Sequence, residues 1–185
     1  MNNIDRAIDV LNSGGVIIYQ SDTVLALGCK ADNIEAINKL YRIKNRSFDK
    51  KFILLLSDDR KLNNYVKTIP EIAWDIIDSS YKQPTIIYPN AINLPKILIE
   101  KDGSIAFRII DETDLNKIIN KIKVPLISTS ANISGESIPK QLEEVSNKIL
   151  SEVDYTLTLQ KKNKFSKVSP IIKLKENSEI EIIRK

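Results

Sequence analysis

The chain has 185 residues, 42% hydrophobic and 28% charged, a size and balance that fit one soluble globular domain around a single core. It has no histidine and one cysteine, Cys29. That excludes an intramolecular disulfide, a multi-thiolate zinc site and the commonest general base, and leaves chemistry to Lys, Arg, carboxylates, hydroxyls or a metal carried by a ligand. The 28 Lys and Arg against 24 acids give a net charge of +4, which favours anionic partners without requiring nucleic acid. Apolar runs such as Phe52 to Leu56 fall far short of the ~20 residues of a membrane span. With no signal-like apolar core near the N-terminus, a cytoplasmic protein with no membrane association is expected.

In chain order, Ile4, Ala7, Ile8 and Leu11 predict a helix over about 4 to 13, stopped by Gly14-Gly15. Val16 to Tyr19 reads as a buried strand, and Gln20 to Gly28 as a polar cluster at its tip. Asn33 caps a second helix with the stripe Ile34, Ile37, Leu40 and Tyr41, followed by Arg42, Lys44, Arg46, Lys50 and Lys51. Phe52 to Leu56 is a core strand; Leu62, Tyr65 and Val66 suggest a short helix, and Pro70 suits the first position of a helix carrying Ile72, Ala73, Ile76 and Ile77. Thr85 to Tyr88 is a strand, Lys101-Asp-Gly103 a turn, and Ser104 to Ile109 a strand with Arg108 opposite Phe107. A helix with Leu115, Ile118, Ile119 and Ile122 leads to the strand end at Val124 to Ile127. After the polar stretch Ser128 to Gly135, a helix carries Leu142, Val145 and Ile149. Strands at about 155 to 159, 168 to 174 and 180 to 184 close the chain, with turns at 161 to 164 and 175 to 178. The pattern predicts a single α/β domain, residues 1–185, built on a twisted mixed sheet flanked by helices, parallel crossovers first and hairpins last.

The most informative stretch is Ser128-Thr-Ser-Ala-Asn-Ile-Ser-Gly135, where hydroxyls and an amide follow a buried strand. Such groups both donate and accept, and a glycine admits a ligand close to the backbone. They also form turns that satisfy their own backbone, so both readings stand. Further polar clusters, Ser21-Asp22-Thr23, Lys44/Arg46/Lys50 and Thr85, fall at strand tips or past helices, and in an α/β domain several tips can share one open basic cleft. Lys44 and Arg46, two apart at a helix end, suit separate oxygens of a polyphosphate, although cations also favour helix C-termini for their own sake. No glycine-rich phosphate loop is present, so nucleotide binding would use side chains.

These residues resemble, in order and over nearly the whole chain, the YrdC-like threonylcarbamoyl-AMP synthases. Tyr19-Gln-Ser-Asp-Thr-Val-Leu-Ala-Leu-Gly-Cys29 is similar to that family's Tyr-Pro-Thr-Asp-Thr-Val-Tyr-Gly-Leu-Gly-Cys, and Lys44-Asn-Arg46 with Lys50 to its Lys-x-Arg-Pro-x-x-Lys-Pro. Pro84-Thr85, Ile105 to Arg108 and Val168 to Ile172 resemble its later elements, and Ser128 to Gly135 its Thr-Ser-Ala-Asn-x-Ser-Gly signature. Gln20 and Ser21 stand for Pro-Thr, Leu25 and Ala26 for Tyr-Gly, Ser47 and Lys51 for two prolines, and the loop before Thr85 lacks the family's glycine.

The resemblance implies a nucleotidyltransferase of tRNA processing that joins L-threonine, bicarbonate and ATP into threonylcarbamoyl-AMP and pyrophosphate, toward the t6A base of tRNA. ATP is then a substrate, with Mg²⁺ carried on its phosphates. Downstream threonylcarbamoyl-transfer proteins are the implied partners. The implied roles are Lys44 and Arg46 as the catalytic charge at the α-phosphate, and Ser21, Asp22, Thr23, Lys50 and Arg108 in substrate binding. Arg108 would fork onto the threonine carboxylate. Thr85, Ser130, Asn132, Ser169 and Arg184 would hold the nucleotide. The alternative from another class is a non-catalytic module of the same fold that binds tRNA or double-stranded RNA, which would rest on a broad basic patch with stacking aromatics.

Overall fold

A computed structural model describes residues 2–21, 23–80, 83–111, 113–158 and 169–184. Helix α1 (Asn3–Asn12) begins where the Asn2 side chain accepts from the Asp5 N–H at 2.8 Å, and it buries Ala7 and Leu11. Helix α2 (Ile34–Ile43) is capped by Asn33, which accepts from the Ala36 N–H at 2.9 Å. Its buried stripe is Ala36, Ile37, Leu40, Tyr41 and Ile43. Ile34, expected in that stripe, is the first residue of the helix and is exposed. Helix α3 (Ile72–Ser79) starts two residues later than expected: Pro70 precedes it and accepts from the Ala73 N–H with its carbonyl. Helix α4 (Thr113–Ile122) buries the four predicted apolar residues. The predicted helix around Leu142 to Ile149 divides into a 3₁₀ turn (Leu142–Glu144) and helix α5 (Asn147–Glu152), because Val145 is extended and Ser146 opens a new helix. The expected helix at Leu62 is likewise a 3₁₀ turn, Asp59–Asn64.

Among the described residues nine strands form one mixed sheet: β1 (Ile17–Gln20), β2 (Leu25–Gly28), β3 (Ile53–Leu56), β4 (Thr85–Tyr88), β5 (Ile105–Ile109), β6 (Leu126–Ser130), β7 (Tyr155–Leu157), β8 (Ile171–Leu174) and β9 (Ile180–Arg184). Their spatial order is β7-β1-β2-β6-β3-β5-β4-β8-β9. Pairing is parallel for β1/β7, β3/β5 and β4/β8 and antiparallel elsewhere.

Three expectations change here. Residues 25 to 28 form a strand rather than part of a polar loop, pairing back on β1 from Ile17↔Gly28 to Gln20↔Leu25. The strand before the Ser/Asn stretch runs on through Ser130. The closing strands are not sequential neighbours: β7 lies at one edge beside β1, while β8 and β9 lie at the other, so β8/β9 is the sole hairpin among the three. The turn expected at 161 to 164 falls outside the described residues. The β7 edge is fixed by reciprocal bonds. The Val16 N–H donates to Asp154 Oδ2 at 2.7 Å, the Asp154 N–H donates to the Val16 carbonyl at 2.8 Å, and Lys39 Nζ closes on the same carboxylate at 2.6 Å.

Side-chain alternation gives each strand two faces. One core packs α2, α3 and α5 against Val16, Ile18, Leu27, Leu54, Leu56, Ile86, Phe107 and Ile127. A second, smaller core packs α1 and α4 against Ile17, Tyr19, Ala26, Leu55 and Leu126. Beyond Leu55 that second face continues with no helix over it among the described residues, and there β5, β4 and β8 present Ala106, Arg108, Thr85, Ile87 and Ile171 to a cleft. Among the described residues no helix is long and apolar enough to cross a membrane.

Candidate active site

The uncovered part of the sheet forms a cleft of ≈ 350 Å³, the scale of a small-molecule site. Its lining includes Thr23, Arg46, Lys51, Thr85, Arg108, Ser128, Ser130, Ser169 and Arg184, with Glu100 the one carboxylate among the described lining residues. Strand register places these groups. Ile53 pairs with Ala106 and with Ser128, and Leu55 pairs with Arg108. Lys51, two residues before Ile53, is therefore level with Ser130, and Arg108 lies four residues further along the strands, ~13 Å away at ~3.3 Å per residue. The cleft carries cations toward both ends.

At the Arg108 end, Thr85 stands opposite Arg108 across β4 and β5. The Thr85 and Ser169 hydroxyls share a hydrogen bond at 3.0 Å, and the Thr85 N–H donates to the Pro170 carbonyl at 2.9 Å. Arg184 Nε and Nη2 both donate to the Ser169 carbonyl, at 3.1 and 2.7 Å, and Arg108 Nε donates to the Gln83 carbonyl at 3.0 Å. Burial, then the charge of Arg108, holds the Arg184 guanidinium below its ordinary pKa. Two guanidiniums gathered in this way offer forked donors of the kind that bind an anion well.

At the other end the expected pair separates. Arg46 lines the cleft, with Nε donating to the Lys50 carbonyl and Nη2 to the Lys51 carbonyl, both at 2.8 Å, and its guanidinium lies over the Phe52 ring at 5.2 Å. Lys44 is 1% exposed and does not line the cleft. Its Nζ reaches beneath the 130–132 turn and donates to the carbonyls of Ser130 at 2.6 Å and Asn132 at 2.8 Å. The Ser134 N–H returns to the Lys44 carbonyl at 2.9 Å, so the end of α2 and the Ser/Asn turn are tied at two points. Burial, then the nearby Arg46 charge, lowers the Lys44 pKa from 10.5 to about 8.

The remaining candidates divide between display and turn-building. Ser130 donates to Asn132 Oδ1, and Asn132 Nδ2 donates to the Glu136 carbonyl at 2.7 Å, so the Asn132 amide braces the turn while Ser130 faces the cleft. Ser21 is buried, and its hydroxyl accepts from the Val24 N–H at 2.9 Å and donates to the Val24 carbonyl at 2.6 Å. It builds the β1–β2 turn that puts Thr23 in the lining, whereas Asp22 lies outside the described residues. Lys50 is exposed and absent from the lining, so Lys51 is the lysine that faces the cleft. Ser128, which also lines it, accepts from the buried Tyr19 hydroxyl at 2.7 Å. Sequence reasoning placed Ser128 in the polar stretch without giving it a role of its own and named Lys51 only among the cations after the second helix, although strand alternation with Ser130 marks the former.

A mixed α/β sheet with a cleft on one face, edged by hydroxyls and by arginines at the strand ends, defines an α/β protein whose cleft has the chemistry to suit small anionic molecules. More narrowly, the family described as telomere recombination, the Sua5/YciO/YrdC family, matches residues 9–185, and the chain belongs to that family. Threonylcarbamoyl-AMP synthase from Wigglesworthia glossinidia brevipalpis is 32% identical over 154 residues, covering 82% of this chain and 79% of that one. Among solved structures, E. coli YciO superposes with a TM-score of 0.83 at 22% identity, covering 98% of this chain and 88% of that one. P. abyssi Sua5 complexed with L-threonine superposes with a TM-score of 0.81 at 21% identity, covering 94% of this chain and 52% of that one, so the chain spans about half its length.

Proposed function

We propose that the chain is an L-threonylcarbamoyladenylate synthase, a cytoplasmic protein folded as one domain over residues 1–185. The observation that carries this reading is the two-ended cleft, hydroxyl-lined and cationic at both ends, in a chain whose relatives bear the synthase's name. The amine of threonine takes up bicarbonate with loss of water, and the resulting carbamate oxygen attacks the α-phosphate of ATP as pyrophosphate leaves. Neither step needs a covalent enzyme nucleophile, so a chain without histidine and with its cysteine buried is chemically equipped. Positioning and charge neutralisation are what the site must supply.

The Arg108 end receives the threonine carboxylate, with the Thr85 and Ser169 hydroxyls beside it and Arg184 holding Ser169 in place. This regroups three residues first assigned to the nucleotide. L-Threonine is the ligand with which P. abyssi Sua5 was solved, and the same amino acid is proposed here. The Arg46 end receives the phosphates of ATP, with Mg²⁺ arriving on them as part of the substrate, while Ser130, at that end, and Thr23 offer hydroxyl oxygens to the substrates in the cleft. Lys44 and Asn132 act one layer back, fixing the turn that carries Ser130. The product is passed to proteins that complete the tRNA modification.

Pyrophosphate release from Mg·ATP tests this reading, with threonine and bicarbonate omitted in turn. Release should require both. Release that ignores threonine, or no release from protein that binds ATP, would refute it.

A further inference from the structure

Of the three lysines around the cleft, Lys44 is enclosed and Lys50 lies outside the lining, but Lys51 projects into it beside Arg46. Its position is fixed from both directions. The Lys51 carbonyl accepts from Arg46 Nη2 at 2.8 Å, and its half-buried Nζ donates to the Ile97 carbonyl at 3.0 Å. Ile97 belongs to the 3₁₀ turn Lys96–Leu98, so the lysine bridges two loops across one end of the cleft. An ammonium has three donors, and among the described residues Ile97 is the one acceptor that Lys51 meets, with no carboxylate in ion-pair contact. The charge is thus held in place and partly desolvated, on a residue that lines the cleft. Where this chain has Lys51, the motif it resembles has proline, which offers neither charge nor donor.

Resting on the reading of the cleft as a synthase site, we infer that Lys51 is a substrate-contacting cation that, with Arg46, binds an oxyanion of the substrates. The strand register sets Lys51 level with Ser130, so the anion bound there lies against the Ser130 hydroxyl as well. Two substrates bring an oxyanion, the ATP phosphates and bicarbonate. A phosphate held by Lys51 gains charge as pyrophosphate departs, so contact with it would strengthen along the reaction.

Lys51→Gln keeps a donor for the Ile97 carbonyl and removes the charge; Lys51→Arg keeps both. Titration calorimetry with Mg·ATP and steady-state kinetics against bicarbonate separate the two sources. If the nucleotide is the ligand, Lys51→Gln should weaken ATP binding by ~10- to 100-fold, as expected for loss of one charge-assisted contact. If bicarbonate is the ligand, its KM should rise by a similar factor while ATP affinity holds. In either case Lys51→Arg should recover most of the loss, and the unfolding midpoint of both variants should match wild type. Unchanged ATP affinity and bicarbonate KM in Lys51→Gln would overturn the inference. So would a lowered unfolding midpoint shared by both variants with no rescue by arginine, which would make Lys51 a loop tether. A wild type that binds ATP but releases no pyrophosphate would refute the synthase reading instead. Weakened ATP binding in Lys51→Gln, recovered in Lys51→Arg, would then still support Lys51 as an oxyanion contact, and unchanged ATP binding would overturn it, since no bicarbonate-dependent reaction would remain.

Discussion

Replacing Lys44 with methionine tests whether the cleft is held open by a buried ammonium. The substitution keeps most of the aliphatic stem and removes the donors to the Ser130 and Asn132 carbonyls. A buried acceptor left without a partner costs ~1–3 kcal/mol, so two would cost about 2–6 kcal/mol. Against this stands the relief of no longer burying a charge. The lowering of the Lys44 pKa from 10.5 to about 8 is worth roughly 3–4 kcal/mol at ~1.4 kcal/mol per pH unit. Near pH 7 the two nearly offset, and wild type should exceed Lys44→Met by about 1 kcal/mol.

The pH dependence is the sharper signature. Between about pH 8 and 10.5 the unfolded chain holds a proton on this lysine that the folded protein has released, so stability from this group rises with pH. From pH 7 to 10 the wild-type advantage should grow by roughly 2–3 kcal/mol. Urea unfolding of both proteins at the two pH values measures it, and the difference cancels the titration of every other group. An advantage that stays constant or shrinks would show that the folded-state pKa is not depressed and that the ammonium is not buried at a cost. Pyrophosphate release by Lys44→Met should fall at both pH values, because Ser130 loses the support of its carbonyl.

At the far end of the cleft, Arg108→Lys should raise the threonine KM by ~10- to 100-fold while ATP affinity without threonine is kept, since lysine retains the charge but not the fork; parallel loss of both would mark Arg108 as structural. Thr85→Val removes the hydroxyl that meets Ser169 and should destabilise by about 1 kcal/mol and weaken threonine more than ATP, as read from unfolding and from initial rates. Gly28→Ala would place a Cβ 2.6 Å from the Ile127 carbonyl oxygen and 2.8 Å from Tyr19 Cε1, and should lower stability by about 1–3 kcal/mol in thermal or urea unfolding. Mg·ATP at a hundredfold excess over its Kd should stabilise the protein by about 2.7 kcal/mol, visible as a shifted unfolding midpoint.

Much of this arrangement was legible in the sequence where it depends on local patterning. The caps Asn33 and the buried stripe of α4 follow from side-chain chemistry and a 3.6-residue period. The alternation that sets Arg108 opposite Phe107 likewise needs no tertiary information. Strand β2 escaped because Leu25 to Gly28 is buried on both faces and shows no alternation after a run of polar residues. The places of β7 at one edge and of the β8/β9 hairpin at the other escaped for another reason: succession along the chain does not say which sheet edge a strand joins.

At the site, residue types were readable and their duties were not. Lys44 looked like a phosphate ligand because a helix end displays charge. Its burial is decided by a turn 86 residues away, whose carbonyls cannot be seen from the motif. Ser21 and Asn132 read as ligands for the same reason that they make good turns, since hydroxyls and amides serve backbone and substrate alike.

The contact between Val16 and Asp154, 138 positions apart, has a consequence for the order in which a ribosome delivers this chain. Strand β1 is made early, yet its outer edge has no partner until β7 emerges. Long-range parallel pairing of this kind closes slowly, and an apolar edge left waiting is a template for association between nascent chains. At the opposite edge, Ser169 and Arg184 come from the last elements described, after every other wall of the cleft has been translated. A chain stopped near residue 150 would therefore lack one end of its cleft as well as the cover on β1. Catalytic competence would then appear only once synthesis had passed the residues that shield the fold from its neighbours.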